Sequence, residues 1–178
     1  MNKSILSAFI AMGSISPAYV LASDGTISIN GNVNNASCNV NVDGQGNNAD
    51  ITLEEVSSTK LINTGDVAGT RPFTFELVAC PQLEGVRARF ELDNVDPTEG
   101  NLNNLISTDF GGAGKVQVQI TNELGDAIDL NVNGEPNMFV PIVNGSASVT
   151  YNAQYYAYDG QVTAGLVSTA TVYTIDYR

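Results

Sequence analysis

The sequence contains no histidine and no tryptophan, only two cysteines, and only seven lysine and arginine residues among its 178 positions. Without histidine or a spare thiol, neither a Ser–His–Asp nor a Cys–His catalytic arrangement can be assembled. A soft-metal site also lacks ligands, because two cysteines alone do not complete a tetrahedral zinc site. We therefore predict no catalytic site, no metal site and no cofactor, although 19 acidic residues leave paired-carboxylate chemistry open.

The scarcity of basic residues gives the chain a net charge of -12 at pH 7. Nucleic-acid binding depends on clustered lysine and arginine side chains that displace counterions from the phosphates. The closest basic pair, Arg87 and Arg89, is flanked by Glu84 and Glu91. This balance of charge excludes nucleic acid as a partner and disfavours adhesion to anionic lipid.

Long hydrophobic runs are also missing, with one short exception at the N-terminus. The apolar stretch over residues 5–20 follows Lys3 and is interrupted by serines and a proline. A membrane span needs about 20 mostly apolar residues, so this stretch is too short and too polar to serve as an anchor. It predicts a secretory signal peptide over residues 1–22, cleaved between Ala22 and Ser23. The exported chain that remains is long enough for one domain, and we expect no membrane insertion of it.

The two cysteines, Cys38 and Cys80, form an isolated pair in a chain predicted to be exported. A disulfide is the simplest interpretation, and a metal pair or a reactive thiol is the alternative. Closing a loop of this length stabilises a folded domain by roughly 4 kcal/mol on the chain-entropy estimate.

What the chain does contain is short runs in which apolar and polar residues alternate, separated by glycine, asparagine and aspartate. The alternation is clearest over Pro72–Cys80, Lys115–Thr121, Ser146–Tyr158 and Thr171–Arg178. A period of two predicts strands, and the absence of long helical periodicity predicts an all-β domain with two sheets in a sandwich. One stretch, Glu54–Ile62, could form a helical turn.

The stretch Asp129–Gly134 begins like a calcium-binding loop, with Asp129, Asn131 and Asn133 at alternate positions. The closing carboxylate of such a loop falls at about the twelfth position, which here is Val140. We therefore interpret the stretch as a turn between strands.

The segment Thr26–Val33 also alternates, and it runs into the first cysteine without a turn that would return it to its own domain. The last predicted strand, in contrast, ends at Arg178 with no residue after it to cover it. Periodicity alone supports two interpretations equally. Either Thr26–Val33 is the first strand of its own sheet, or it pairs with another molecule.

Several landmarks, in this order along the chain, resemble the major and minor pilins of type 1-like chaperone–usher fimbriae. They are the extension Gly25–Val33 with Gly31 in its apolar phase, the segment Asn35–Cys38, the strand Phe73–Cys80, the segment Val116–Asn122, the segments Tyr151–Ala157 and Val162–Gly165, and the ending Ile175–Arg178 with its penultimate tyrosine. The resemblance covers essentially the whole exported chain.

This resemblance implies an immunoglobulin-like sandwich that lacks its final strand and is completed by donor-strand complementation. Residues 23–34 would be an N-terminal donor-strand extension, and residues 35–178 would be the pilin domain. The donor face is assigned to Ile27, Ile29, Gly31 and Val33, with Gly31 acting as a notch over a shallow part of the groove. The edge of the acceptor groove is assigned to Thr171, Tyr173, Ile175 and Tyr177.

The resemblance further implies a structural subunit of a surface fibre used in cell adhesion, exported through the periplasm and built by donor-strand exchange. Its partners would be neighbouring pilin subunits, a periplasmic chaperone that first fills the groove, and an outer-membrane usher. Two other functions stay open at this point: a single-domain fimbrial adhesin that binds a receptor itself, and a monomeric secreted carbohydrate-binding sandwich.

Overall fold

The computed structural model describes Ser28, residues 37–134 and residues 136–178. The predicted signal peptide over residues 1–22 lies outside the described residues. So do the four residues of the predicted donor face, Ile27, Ile29, Gly31 and Val33.

Eight strands make up the described part of the chain. They are β1 (Asn39–Val42), β2 (Val67–Val78), β3 (Gly85–Phe90), β4 (Leu102–Asn103), β5 (Val116–Asn122), β6 (Val140–Pro141), β7 (Ser146–Ala157) and β8 (Tyr173–Tyr177). Two short 3-10 turns lie between strands, at Ser58–Lys60 and Thr108–Phe110. The first of these turns falls inside the stretch Glu54–Ile62, where the sequence suggested a helical turn.

The strands form two antiparallel sheets. The larger sheet has the order β1-β2-β7-β5-β4, and the smaller sheet has the order β6-β3-β8. The all-β prediction is therefore confirmed, with strands in each of the four alternating runs. Some bounds differ from the predicted ones: β2 begins at Val67 rather than Pro72, and β8 begins at Tyr173 rather than Thr171.

Alternation directs one face of each sheet into a shared core. Phe75 of β2 and Tyr151 of β7 are buried on the inner face of the larger sheet, and Phe90 of β3 is buried on the inner face of the smaller one. The ring centroids of Phe90 and Tyr151 lie 5.3 Å apart, and those of Phe75 and Phe90 lie 6.5 Å apart. Each such buried side chain contributes about 1.5–3 kcal/mol, so these contacts join the two layers into a sandwich.

The predicted disulfide is present. Cys38 and Cys80 are joined at an S–S distance of 2.06 Å. The bond ties the beginning of β1 to the end of β2, where Asn39 and Val78 are paired. The position from which the N-terminal residues leave the domain is thereby anchored to the larger sheet.

Candidate functional site: an open edge of the smaller sheet

The inner face of β8 is covered incompletely. Its residues Tyr173, Ile175 and Tyr177 pair with Phe90, Ala88 and Val86 of β3, in that order, and share their face of the sheet. The three residues of β3 are fully buried, whereas the three residues of β8 are only half-buried. Two adjacent strands of one sheet thus differ in burial on the same face. Among the described residues, β8 is paired with β3 on one side and with no strand on the other.

Along its outer edge, the backbone of β8 is paired with no other part of the chain that the structure describes. Arg178 and Gly85 exchange backbone hydrogen bonds in both directions, and the amide of Glu91 donates to the carbonyl of Val172. Bonded and non-bonded pairs alternate in an antiparallel ladder, so the even-numbered residues of β8 bond to β3. The N–H and C=O groups of the odd-numbered residues point away from β3. Within residues 37–134 and 136–178, these groups have no backbone partner.

The same alternation extends upstream of β8. Val167, Thr169 and Thr171 are half-buried, and the residues between them are exposed. The amide of Leu105 donates to the carbonyl of Ser168. Here too, therefore, an even-numbered residue with an exposed side chain bonds through its backbone to the rest of the domain. Thr171, predicted as part of the groove edge, therefore precedes the strand but belongs to the same wall. We call residues 167–177 the C-terminal wall.

A second wall follows β1. Ala49, Ile51 and Leu53 are half-buried and pack against the main core, and the residues between them are exposed. This stretch alternates like a strand, yet it is assigned to no sheet, and Ile51 and Leu53 make no backbone hydrogen bond among the described residues. Sequence reasoning missed this wall. The signal that could have found it is the alternation of Ala49, Ile51 and Leu53, just before the suggested helical turn.

Two tyrosines connect the walls. The Tyr177 hydroxyl accepts a hydrogen bond of 2.9 Å from the amide of Cys38, and the Tyr173 hydroxyl donates one of 2.7 Å to the carbonyl of Asn47. The Tyr173 ring also packs edge-on against Phe75, with centroids 4.8 Å apart. Burial raises the pKa of Tyr173. These bonds hold the C-terminal wall against both ends of the β1 segment, and we call the apolar strip bounded by that wall and by residues 49–53 the groove.

The groove presents uncharged side chains only. Its inward positions are Ala49, Ile51, Leu53, Val167, Thr169, Thr171, Tyr173, Ile175 and Tyr177. This is a notable exception in a chain with a net charge of -12. An apolar floor beside unpaired backbone donors and acceptors can accept an extended, uncharged segment as an added strand.

The opposite edge of the smaller sheet is closed, because side chains take the place of a strand. Beyond the short pairing with β6, the backbone groups of Phe90 bond to Asn133, which accepts from the Phe90 amide at 3.1 Å and donates to its carbonyl at 2.8 Å. Both backbone groups of Ala88 also bond to side chains. Its carbonyl accepts from the Asn137 side chain at 2.8 Å, and its amide donates to the Tyr151 hydroxyl at 3.1 Å.

These three side chains are buried, and two of them support each other, since the Tyr151 hydroxyl also donates to the Asn137 side-chain oxygen at 2.9 Å. Burial raises the pKa of Tyr151 to about 12. The turn that resembled a calcium loop thus sends Asn133 into the interior. Because one edge of the smaller sheet is satisfied in this way, strand addition to that sheet is confined to the edge of β8.

The described residues contain no cluster of three or more side chains suited to hold a metal ion. They also contain no helix with the length and apolar character required to cross a membrane.

The family of the chain is shown by its relatives. The profile of the family described as "Fimbrial protein" matches residues 27–178. The chain belongs to the fimbrial protein family.

Individual relatives agree with this assignment. The chain is 38% identical over 176 residues to the F17 fimbrial protein of Escherichia coli, with 94% of each chain covered. It is 32% identical over 169 residues to the major fimbrial subunit SMF-1 of Stenotrophomonas maltophilia, with 91% of this chain and 97% of the relative covered. These matches show a fimbrial subunit, as the resemblance of the sequence had indicated.

Solved structures agree on the fold. A chaperone–usher pilus structure matches with a TM-score of 0.60 and 17% identity, covering 92% of this chain and 100% of the other. The P pilus rod subunit PapA matches with a TM-score of 0.59 and 18% identity, covering 80% of this chain and 100% of its own. The fold is therefore the immunoglobulin-like sandwich of chaperone–usher pilins.

Proposed function

We propose that this fimbrial subunit polymerises by donor-strand exchange, in which residues 23–34 of one copy fill the groove of its neighbour. The observation that carries the proposal is the edge of β8. Its inner residues are half-buried, and its outward backbone groups have no backbone partner among residues 37–134 and 136–178. The other edge of the same sheet is closed by side chains. A strand added there would complete both the core and the hydrogen-bond ladder.

The proposed donor and the groove match in character. The segment from Gly25 to Cys38 contains no charged residue, and its alternate positions carry Ile27, Ile29, Gly31 and Val33. Burying the three branched side chains contributes about 4.5–9 kcal/mol before ordering costs. Domains are stable by about 5–15 kcal/mol in total, so the added strand supplies a large share of the stability of the subunit. In this proposal Gly31, without a side chain, acts as a notch that lets the donor strand pass a shallow part of the groove.

An open groove of this kind is also an aggregation hazard, because an apolar edge with unpaired backbone groups can pair with any extended chain. We propose that a periplasmic chaperone fills the groove after export and that an outer-membrane usher exchanges it for the extension of the next subunit. The product is a surface fibre that contributes to cell adhesion. In this function the protein acts as a structural subunit and not as an enzyme.

The test is deletion of residues 23–34, followed by gel electrophoresis of unboiled material. Wild-type protein should give a ladder of detergent-resistant oligomers, and the deleted protein should stop at monomer or at a chaperone complex. Two matched variants test which face of the donor segment enters the groove. Ile29→Asp, on the proposed donor face, should shorten the ladder, and Asn30→Asp, on the opposite face, should leave it intact. A deleted protein that stays monomeric with unchanged stability would instead identify a self-contained module.

A further inference from the structure

The sandwich has two poles, separated by the length of β7. That strand spans 12 residues, which corresponds to about 37 Å. Before its first residue lies Gly145, whose carbonyl accepts from the amide of Cys80. Beyond its last residue lie the loops around Lys115, which bonds to Tyr158. We call the first end the disulfide pole and the second the distal pole.

The distal pole carries an exposed apolar patch. Phe110 is 84% exposed, Leu166 is 65% exposed and Leu105 is 59% exposed. The loops that carry them touch, since the amide of Leu166 donates to the carbonyl of Gly111 at 2.9 Å. Leu166 directly precedes Val167, the first residue of the C-terminal wall. The apolar patch is therefore continuous with one end of the groove.

The apolar patch is held in place and is not a loose loop. The Asn104 side chain donates to the carbonyls of Ala113 and Leu166 at 3.1 and 3.0 Å. Its oxygen accepts from the amides of Ile106 and Ser168 at 3.2 and 3.0 Å. Gly165 lies so close to the backbone at residues 112 and 113 that a side chain there would collide with it. These contacts fix the backbone that carries Leu166, and Phe110 lies in the adjoining 3-10 turn Thr108–Phe110.

The disulfide pole carries a shallow hollow. Its lining is partly apolar, with Pro81, Leu83 and Ile142, and partly charged, with Glu84 and Arg178. Leu83 is partly exposed to solvent, and its side chain is apolar. The guanidinium of Arg178 already lies 5.2 Å from the ring centroid of Phe139, so it is placed to meet a second aromatic ring.

Chain length brings these two surfaces together in a fibre. If the extension of a donor subunit lies in the groove of an acceptor, only residues 34–37 separate its Val33 from its Cys38. Those five steps reach at most about 18 Å. The disulfide pole of the donor must therefore lie against whichever end of the acceptor groove holds Val33.

The geometry of the acceptor determines which end of its groove holds Val33 of the donor. Its own extension leaves at Cys38, whose amide bonds to the hydroxyl of Tyr177, so that end of the groove lies at its disulfide pole. If the body of the donor lay at the same end, the disulfide poles of the two subunits would meet, and that contact could not repeat along a fibre. A repeating head-to-tail contact needs the donor body at the distal pole. Val33 of the donor then lies near Val167 of the acceptor.

We infer that the apolar patch of each subunit, Leu105, Phe110 and Leu166, docks into the hollow at the disulfide pole of the neighbour that donates its strand. This inference rests on the proposed function and deepens it. The contact is heterologous and joins unlike surfaces of identical chains, so it repeats along the fibre without closing. It sets the angle between successive subunits, while the donated strand supplies most of the affinity.

A cysteine pair tests this contact. The double variant Phe110→Cys with Leu83→Cys is assembled under reducing conditions, oxidised gently, and boiled in detergent without reductant. We expect a covalent ladder that survives boiling. The control pairs Leu83→Cys with Leu124→Cys, because Leu124 is 87% exposed but lies on the turn after β5, away from the distal loops. The control should give monomers after boiling.

A second measurement avoids added cysteines. Fibres of Phe110→Asp should keep the ladder before boiling, because the groove is untouched, and should lose the regular angle between subunits in electron micrographs. Intact ladders combined with no covalent product and with unchanged fibre shape would overturn the inference while leaving the proposed function standing. Absence of a ladder in the wild-type protein would overturn both.

Discussion

Ile175 offers the sharpest test of the groove, because its side chain faces the core from the open edge. In a complemented subunit Ile175 should be fully buried, and truncating a fully buried isoleucine to alanine costs about 2–5 kcal/mol. In the uncomplemented domain about a third of the side chain at most is exposed, so the same change should cost somewhat less. The difference, no more than about 0.7–1.7 kcal/mol, is the part of the effect that belongs to the donated strand.

The assay uses a subunit whose residues 23–34 are moved to follow Arg178 through a short flexible linker. Because β8 ends beside the groove, the appended strand can return along its open edge. Unfolding by guanidinium chloride is then compared with and without Ile175→Ala. The shift should be about 2–5 kcal/mol in the self-complemented protein, seen as a lower midpoint with an unchanged slope.

Thr174→Ala is the matched control for this experiment. Thr174 is the adjacent residue of β8, faces solvent, and makes an exposed hydrogen bond to Glu91. Exposed substitutions of this kind usually change stability by no more than about 0.5 kcal/mol. Equal effects of Ile175→Ala and Thr174→Ala in the self-complemented protein would refute the reasoning, since the strand would then not lie over the inner face of β8.

Three further predictions concern the rest of the sandwich. Asn137→Ala should lower the free energy of unfolding in urea by about 1–3 kcal/mol, because it leaves the carbonyl of Ala88 and the hydroxyl of Tyr151 short of a partner; no change would mean that the closed edge does not depend on it. The pKa of Tyr151 is raised to about 12, so its contribution is complete below pH 10 and is lost as pH rises through 12; Tyr151→Phe should show a shallower alkaline loss in pH-dependent unfolding, and an identical loss would contradict this. Replacing Cys38 and Cys80 together by alanine should lower the free energy of unfolding by about 2–4 kcal/mol relative to the oxidised wild type. The reduced wild type is the control and should match the variant; a variant as stable as the oxidised protein would contradict this.

Several strands were readable from the chain because apolar and polar residues alternate along each of them. Phe73, Phe75 and Leu77 alternate with polar residues, and so do Val116, Val118 and Ile120. Such strands carry their orientation in the sequence, and the structure places both sets in the core. The strand β3 also alternates, with Val86, Ala88 and Phe90 directed inward. This strand was not predicted from the sequence, because Arg87 and Arg89 were interpreted only as a basic pair.

Other features could not be read locally. Asn133 and Asn137 belong to a loop rich in asparagine and glycine, and nothing in that loop shows that two of its amides close a sheet edge more than 40 residues away in sequence. Residues 49–53 alternate, but they have no strand partner within the described residues to mark them as part of a sheet. Both features depend on contacts between distant parts of the chain.

The chain alone therefore predicted the disulfide, the class of fold and the inward face of the last strand, all of which the structure confirms, and it also predicted an export signal. These are local properties, since composition and a period of two along a strand need no knowledge of neighbours. Tertiary structure decided that this inward face is left half-covered and that the other edge of its sheet is closed. The burial of this face depends on how many strands the rest of the fold places beside it. The alternation within Thr171–Tyr177 carries no information about those neighbouring strands.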